Sequence, residues 1–485
     1  MEKSIRDEIF VRKKSSLGKK KLYLKKYTTC IFIKKIDSGI GIGGLSTGKD
    51  ETASSQFDLF EKVEFETGVK KIHTQTFRPI SSTNSQGPFI FEIPADPEKF
   101  TDAESIRLQG RMRIRAKAGN VLSNLAAGTK ISTVNNIFNS LWSSINVQLN
   151  ETEITDPSSR WYAFKSYFEN HLSYSTPTKE NVLTFKGYIK DSPGKYDDIG
   201  SDGNASSNNG YLKRQKMFEG SKWVYFCINI HADITTLRKF VPPNVKIKLE
   251  LRRNSDEFCL LSHKPIDDFK IELDDMRVRV NRIEPSTQVS KYYANEIKKG
   301  AIPRLSIDRS LLKTYTKSSG RLDLSEYNII SGRQLPDQII IGVMEEGAHS
   351  GDITKNSFHF QDFDISEACL VVNGRREPPE LYRVNKDSGD KADLYNSFLE
   401  NVGVGTDDKE CGITYDDYYG GSFLLVLDRT QDKCNRFHRH EQDSGSIDVY
   451  LKTKTPLTKT VTIVIYATYS ADLLFAGDTV ITPNF

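Results

Sequence analysis

The sequence is poor in cysteine, and the cysteines it has are badly spaced for cross-linking. Cys30, Cys227, Cys259, Cys369, Cys411 and Cys434 are spread over 485 residues with no CxxC pair. Neither a disulfide framework nor a paired-thiolate metal knuckle is therefore expected. Cys227 and Cys369 lie inside apolar runs, where a thiol acts as a small core residue, and a reducing compartment is the reading that follows. Long hydrophobic runs are missing too. None approaches the ~18 residues of a membrane span, and the charged N-terminus lacks the apolar segment of a signal peptide. A soluble chain is expected, or one that leaves the membrane to its partners, and the sequons at Asn150 and Asn204 are read as chance matches.

Catalytic signatures are absent as well. There is no G-x-S-x-G, no H-E-x-x-H and no Ser-x-x-Lys in a catalytic context. The acid pairs Asp267-Asp268, Asp274-Asp275, Asp407-Asp408 and Asp416-Asp417 are sequence neighbours. Along a strand neighbours point to opposite faces, so these are poor general acid/base pairs, and a solvated loop or strand edge is expected. Gly39-x-Gly41-x-x-Gly44 matches a dinucleotide fingerprint on paper, and Gly43-x4-Gly48-Lys49 nearly matches a phosphate-binding loop. No helical pattern follows to supply amides to a phosphate, and Asp50 stands where a hydroxyl is needed, so a glycine-rich hinge is expected. Cys434, His438 and His440 offer part of a metal site. They sit in a polar run among Arg436 and Arg439 with no complementary Cys/His pair nearby, and a surface loop is expected. The reading is a non-enzyme with no cofactor and no metal.

What is present points to strands. Tyr and Phe number 21 and 26, Gly and Pro 32 and 17, which suits many short strands between turns. The length favours two domains. Charge is uneven. Residues 1–36 hold twelve Lys/Arg and three acids, a local +9 against +4 for the whole chain, so the remainder carries −5. This basic arm has few aromatics to stack bases. It reads either as a polyanion-binding segment without sequence preference, through Arg12, Lys13, Lys14, Lys19, Lys20, Lys21, Lys25 and Lys26, or as an extension with no packed role.

The chain is organised around Val134 to Asn150. Val134, Ile137, Phe138, Leu141, Trp142 and Ile145 follow the spacing of one helical face. From Ile145 the period becomes two, with Val147 and Leu149 on one side and Asn146 and Gln148 on the other. This predicts a short amphipathic helix running into a strand that stops at Asn150-Glu151. A related layout recurs at Phe358, Phe360, Phe363 and Ile365, followed by Glu367 to Val372 and Asn373-Gly374. Strands are predicted at Phe89 to Ile93, Ile106 to Ala116, Trp223 to Ile230, Val245 to Leu251 and Ile271 to Ile283. In the second half they are predicted at Leu305–Thr316, Gln338–Met344, Glu367–Val372, Ser422–Leu427, Ile447–Thr453 and Val461–Tyr469. Trp161 to Tyr174 reads as a helix or an aromatic-rich strand. Residues 191–210 and 373–417 read as long loops, and 292–303 as a connector. No 10–15-residue helix is expected between strands, so an antiparallel β-sandwich is preferred. The face Arg107, Arg111, Arg113 and Arg115 reads equally as solvated sheet or as a contact for an acidic neighbour.

These stretches together resemble the double jelly-roll major capsid proteins of Maverick/Polinton elements and adintoviruses. The resemblance is carried by Val134 to Trp142 running into Ile145 to Asn150, by Arg252 to Leu261, and by Gln334-Leu-Pro336 leading into Ile339 to Val343. Asn356 to Asp364 before Val371 to Gly374, and the end strand Val461 to Tyr469, complete it. They occur in the family's order over roughly residues 60–475, and Gly210 to Arg214 matches a further family run only loosely. The resemblance implies an all-β chain of two tandem eight-stranded jelly rolls with a few short helices and long loops. The expected layout is a flexible basic arm at 1–60, a first jelly roll at 61–290, a connector at 291–303 and a second jelly roll at 304–485. Three copies would form a hexon-like, pseudo-hexameric capsomer tiling an icosahedral shell, with loops 191–210 and 373–417 as tower or contact candidates. Expected partners are the chain itself as a homotrimer, neighbouring capsomers, a single jelly-roll penton protein, and packaged DNA through the arm, without membrane insertion. The expected location is the virion shell, assembled inside the host cell, with the nucleus a candidate site. Ile137, Phe138, Leu141, Trp142, Phe360 and Phe363 are the expected structural and assembly residues, packing between elements or between subunits. The alternative is a lectin-like, carbohydrate-binding β-sandwich, which needs a shallow aromatic platform.

Overall fold

The computed structural model describes residues 66–80, 87–155, 162–201, 204–383, 390–404, 409–431, 433, 441–477 and 479–481. The basic arm with Arg12, Lys13, Lys14, Lys19, Lys20, Lys21, Lys25 and Lys26, the glycine motifs at 39–49, Asp407-Asp408 and the Cys434–His440 cluster lie outside the described residues.

Alternating sequence makes the first set of strands. In β3 (Phe100–Ala118) Ile106, Leu108, Met112 and Ile114 are buried, while Arg107, Arg111, Arg113 and Arg115 are only partly covered on the other side. β3 pairs antiparallel with β11 (Phe269–Pro285), which pairs with β1 (Val69–Phe77). β8 (Val224–Asn229) and the short β4 (Val121–Ser123) join β3. The second sheet runs β2 (Phe89–Ile93), β9 (Ile247–Arg253), β6 (Trp142–Leu149), β7 (Thr152–Glu153). A small pair, β5 (Ile131–Thr133) with β10 (Leu260–Ser262), stands apart.

Among the described residues, the remaining strands pair only among themselves. One sheet runs β12 (Arg304–Lys317), β19 (Val461–Ala476), β14 (Gln338–Glu345), β17 (Leu424–Asp428), with β20 (Thr479–Ile481) on β19. The other runs β13 (Glu326–Gln334), β18 (Ser444–Thr453), β15 (Ile365–Val372), β16 (Arg375–Arg383). Leaving out β4, β5, β10 and β20, each half has eight strands among the described residues. In both halves the sheet orders are first-eighth-third-sixth and second-seventh-fourth-fifth. That is the jelly roll, drawn twice. The ladders between named strands are all antiparallel.

The two organising stretches occupy equivalent places, leading into the fourth strand of each half. β6 ends at Asn150-Glu151 and β15 at Asn373-Gly374, and each pair has both residues at positive φ, the hairpin turn that matches strand twist. The helix before β6 is shorter than expected. It is one turn, Ile137–Ser140, and it is not amphipathic, because Asn139 and Ser140 are as buried as Ile137 and Phe138.

Other expectations are corrected. Of the two readings for Trp161 to Tyr174, the helix is right: it spans Tyr162–Leu172. The run 191–210 is not simply an exposed loop, since Asp191, Tyr196 and Asn208 are buried. The run 373–417 contains β16 and helices Asp390–Val402 and Tyr415–Tyr419. The connector expected at 292–303 is helical over much of its length, as part of the helix Thr287–Lys298, and keeps its place between β11 and β12. Helices of 11, 12 and 13 residues do stand between strands, yet the sheets stay antiparallel. β16 escaped because Pro378 and Pro379 argue against a central strand; it is an edge, where proline is tolerated. Half of the arginine face is neutralised within its own sheet: Arg111 pairs with Asp274 and Arg113 with Glu272, directly across the ladder, while Arg107 and Arg115 stand opposite Arg279 and Lys270 and donate to the backbone carbonyls of Glu104 and Leu122.

Phe91 is a fully buried ring on β2, so Phe91→Ala is expected to cost about 3–5 kcal/mol. Tyr327→Ala, on an exposed position of β13, should stay within about 0.5 kcal/mol. Denaturant melts of the two variants check the contrast.

Candidate functional site

The helix Tyr162–Leu172 belongs to the insertion between β7 and β8, yet it is buried on almost every side, with only Glu169 partly open. A helix with that burial needs a wall on each face. Residues 162, 166 and 170 share one face and meet the first organising stretch. The Tyr162 hydroxyl donates to Asn139 Oδ1 (3.0 Å), Asn136 Nδ2 to Ser166 Oγ (3.1 Å) and Asn170 Nδ2 to Asn136 Oδ1 (3.1 Å). Residues 164, 167 and 168 meet the second stretch. Tyr167 stacks on Phe358 at 4.2 Å between centroids, Phe164 meets Phe358 edge-on at 5.7 Å, and Phe168 lies 5.4 Å from Phe360 and 5.9 Å from Tyr466. The helix is therefore the seam between the two jelly rolls.

The expected assembly residues fall in or beside this seam. Ile137, Phe138, Leu141, Trp142 and Phe360 are fully buried within the chain; Phe138 stacks on Phe226 (4.7 Å) and Trp142 meets Phe89 edge-on (5.7 Å). Phe363 is partly buried, in the left-handed turn Phe363-Asp364 before β15. The five fully buried side chains pack between elements of the chain.

Buried charges cross the seam in matched sets. Arg214 and Asp191 are both fully buried and pair at 2.6 Å. Arg214 also donates to the carbonyls of Thr133 (2.7 Å) and Ile189 (2.5 Å), while Asp191 accepts from Asn208 Nδ2 (2.8 Å) and, across the seam, Asn356 Nδ2 (3.1 Å). Gly210 lies here because a Cβ would stand 2.4 Å from the Lys190 carbonyl. Lys165 pairs with Asp233 and donates to Ser310 Oγ of β12 (2.6 Å). Glu169 bonds to His231 (2.6 Å) and accepts from the Tyr466 hydroxyl (3.1 Å). His359 meets Asp197 (2.7 Å), and Lys190 meets Asp417, which is buried and closes the capping box of Tyr415–Tyr419 rather than facing solvent as expected.

Burial would raise Glu169, but the His231 hydrogen bond and the Lys165 charge outweigh it and hold it below the usual range. Asp197 is held down in the same way by His359. Burial pushes Lys179 down to about 7, although its ammonium donates to the His171 and Cys411 carbonyls, both at 2.5 Å. Burial, with Lys179 and Lys190 nearby, pushes His171 well below its ordinary value; its Nδ1 bonds to the Tyr188 hydroxyl (2.7 Å).

The carboxylates of this seam are thus partnered and packed. Among the described residues no group of three or more His, Cys, Asp or Glu stands ready for a metal. A cavity of about 320 Å³ opens elsewhere, between Leu125–Ile131 and Leu212–Gly220, without a nucleophile beside a base. Trp223 carries the guanidinium groups of Arg111 and Arg113 at 4.6 and 4.2 Å, which takes up its ring as a sugar platform. Sequence reasoning missed Arg214, Asp191, Lys165 and Asp233. The loose match at Gly210 to Arg214 was the signal for the first; Lys165 and Asp233 meet only through folding.

No family model matches the chain. An uncharacterized protein of Caenorhabditis elegans is 21% identical over 385 residues, covering 77% of this chain and 87% of that protein. Among solved structures, a chain of the Sputnik virophage superposes with a TM-score of 0.59 at 11% identity, covering 92% of this chain and 94% of its own. The Faustovirus major capsid protein gives 0.54 at 7% identity, covering 86% and 93%. VP54 of PBCV-1, fitted into a Sputnik reconstruction, gives 0.51 at 10% identity, covering 88% and 99%. These neighbours are double jelly-roll viral major capsid proteins, and the likeness is one of fold.

Asp191→Ala leaves Arg214 buried without its counter-charge, and is expected to cost about 3–5 kcal/mol. The double replacement Asp191→Leu with Arg214→Met should cost less, and thermal melts rank the two. For His171 the folded-state pKa lies below the ordinary 6.5, so the unfolded chain takes up its proton first as pH falls through 6.5. Stability should therefore drop below pH 6.5, and His171→Phe should flatten that acid limb in melts taken from pH 7 to pH 5.

Proposed function

We propose that this chain is a viral major capsid protein that self-assembles as hexon-like, pseudo-hexameric homotrimers tiling an icosahedral shell. The observation that carries the reading is the same eight-stranded order drawn twice, in a chain whose fold follows viral capsid chains over most of its length. The seam supports it physically. Two sandwiches locked by a shared helix make one rigid block, and a rigid block with open sheet edges suits tiling. In this reading residues 61–290 and 304–485 are the two jelly-roll domains, 291–303 the connector and 1–60 an arm. The chain does no chemistry; its partners are its own copies and a single jelly-roll penton protein, and its place is the virion, assembled inside the host cell. The sequence resemblance favours the Maverick/Polinton and adintovirus lineage.

Native mass measurement or light scattering of the purified chain tests this: a trimer is expected, and a monomer at all concentrations would count decisively against it. The arm is proposed to bind packaged DNA by charge alone. Deleting residues 1–36 should leave the trimer intact and weaken DNA binding, with a shallower dependence on salt. Unchanged binding removes that role.

A further inference from the structure

The repeated strand order makes β8 and β17 equivalent, each the sixth strand and an outer strand of its sheet. They are finished differently. Helix Asp390–Val402 packs over β17 with Leu394, Phe398 and Val402 buried. Backbone groups of β17 find side-chain partners: Asn401 Oδ1 accepts from the Asp428 amide (3.4 Å), and the Tyr418 hydroxyl donates to the Leu424 carbonyl (2.9 Å). The insertion that precedes β8 instead places its longest helix in the seam. Among the described residues, β8 pairs with β3 alone. Its other hydrogen bonds are to side chains: Lys186 to Asn229 (3.2 Å), Arg111 to the Tyr225 hydroxyl (3.4 Å) and Gln109 to Cys227 Sγ (3.6 Å).

The strand itself is unguarded. Val224-Tyr-Phe-Cys-Ile-Asn229 has no charge, no proline and no glycine. Its register with β3 runs unbroken from Met112↔Val224 to Arg107↔Asn229, so no bulge turns the edge away. Tyr225 is 62% exposed, and the nearby lysines stand at the two ends of the strand, Lys222 before Val224 and Lys186 at Asn229, with none within it. Folded proteins blunt such edges with lysine, proline, bulges or a covering helix, as this chain does at β17 and β16.

We propose that the free edge of β8 is a strand-pairing surface for the β8 edge of a second copy, joining two sheets into one antiparallel ladder across a two-fold axis. The occupant is argued from self-complementarity. Two identical uncharged strands pair with no like charges opposed, and an isologous contact uses the same patch on both sides. This rests on the self-assembly reading and adds to it a contact that links one capsomer to the next.

The full-length chain tests it in two ways. In assembled protein, amide hydrogen exchange should be slow at consecutive residues from Val224 to Asn229. Protection at alternate residues only, those facing β3, would mean an open edge and overturn the proposal. Tyr225→Lys and Tyr225→Glu should each weaken association between capsomers tenfold or more, with melting unchanged, and an equimolar mixture of the two should restore it. Weakening without restoration places the partner elsewhere and rejects the β8–β8 pairing. Trimers that form but leave β8 exchanging overturn this contact and leave the capsid reading standing, whereas a chain that is monomeric throughout removes both.

Discussion

One helix buried on nearly all sides sets the terms for the rest of the chain. Tyr162–Leu172 is flanked by two sandwiches, and each must meet both its rings and its polar groups. Rings alone would let the halves slide, because aromatic contacts of about 0.5–1.5 kcal/mol tolerate many geometries. Lys165, Ser166, Asn170 and His171 do not, since an unpaired polar group in such a place costs a few kcal/mol. Each of the four has a partner, His171 through Nδ1 alone with its Nε2 left unbonded, and Lys165 reaches Ser310 on the opposite sandwich. Direction is therefore supplied by hydrogen bonds, and cohesion by burial.

That division explains why parts of the fold were legible and others were not. β3 and β9 alternate cleanly because one face is buried and the other is not, and period two is visible in any such strand. The Asn373-Gly374 turn was legible because φ is positive at both positions. The seam was half legible. The stretches Val134 to Trp142, Arg252 to Leu261 and Asn356 to Asp364 all end up against it, but the amphipathic reading of the first puts its polar residues on an open face. Asn135 and Asn136 are instead buried acceptors, Asn135 Oδ1 for the Ile189 amide and Asn136 Oδ1 for Asn170 Nδ2. Nothing local distinguishes a buried asparagine from a solvated one; only the partner does. β13 was missed for a different reason: its ladder to β18 is broken twice, and its sequence carries no clean alternation.

The repeat also shows which parts of a jelly roll are fixed by packing. Sheet order is the same in both halves, and so is the turn that follows the fourth strand. The insertions differ. Between the fifth and sixth strands the first half sends a helix into the seam, and the second half lays one over its own sheet. Equivalent positions in a repeated fold therefore need not have equivalent surroundings, and the difference falls at a sheet edge, where backbone groups must find some partner.

A rigid seam and an open edge are linked. An added strand positions its owner only as well as the sheet that receives it is held, so a ladder formed at β8 transmits orientation only if β3 and β11 stay fixed against the rest of the chain. β3 is packed on its inner face by the core that includes Phe138 and Phe226, and Phe226 is itself a β8 residue. Phe138 in turn sits on the turn whose Asn136 and Asn139 bond the seam helix. The path from β8 to the second jelly roll is thus continuous through packed side chains: Phe226, Phe138, the asparagine turn, Tyr162–Leu172, then Phe358 and Phe360. Loosening the seam would leave β8 able to pair but unable to fix the angle at which the second sandwich stands, and the angle is what a tiled surface requires.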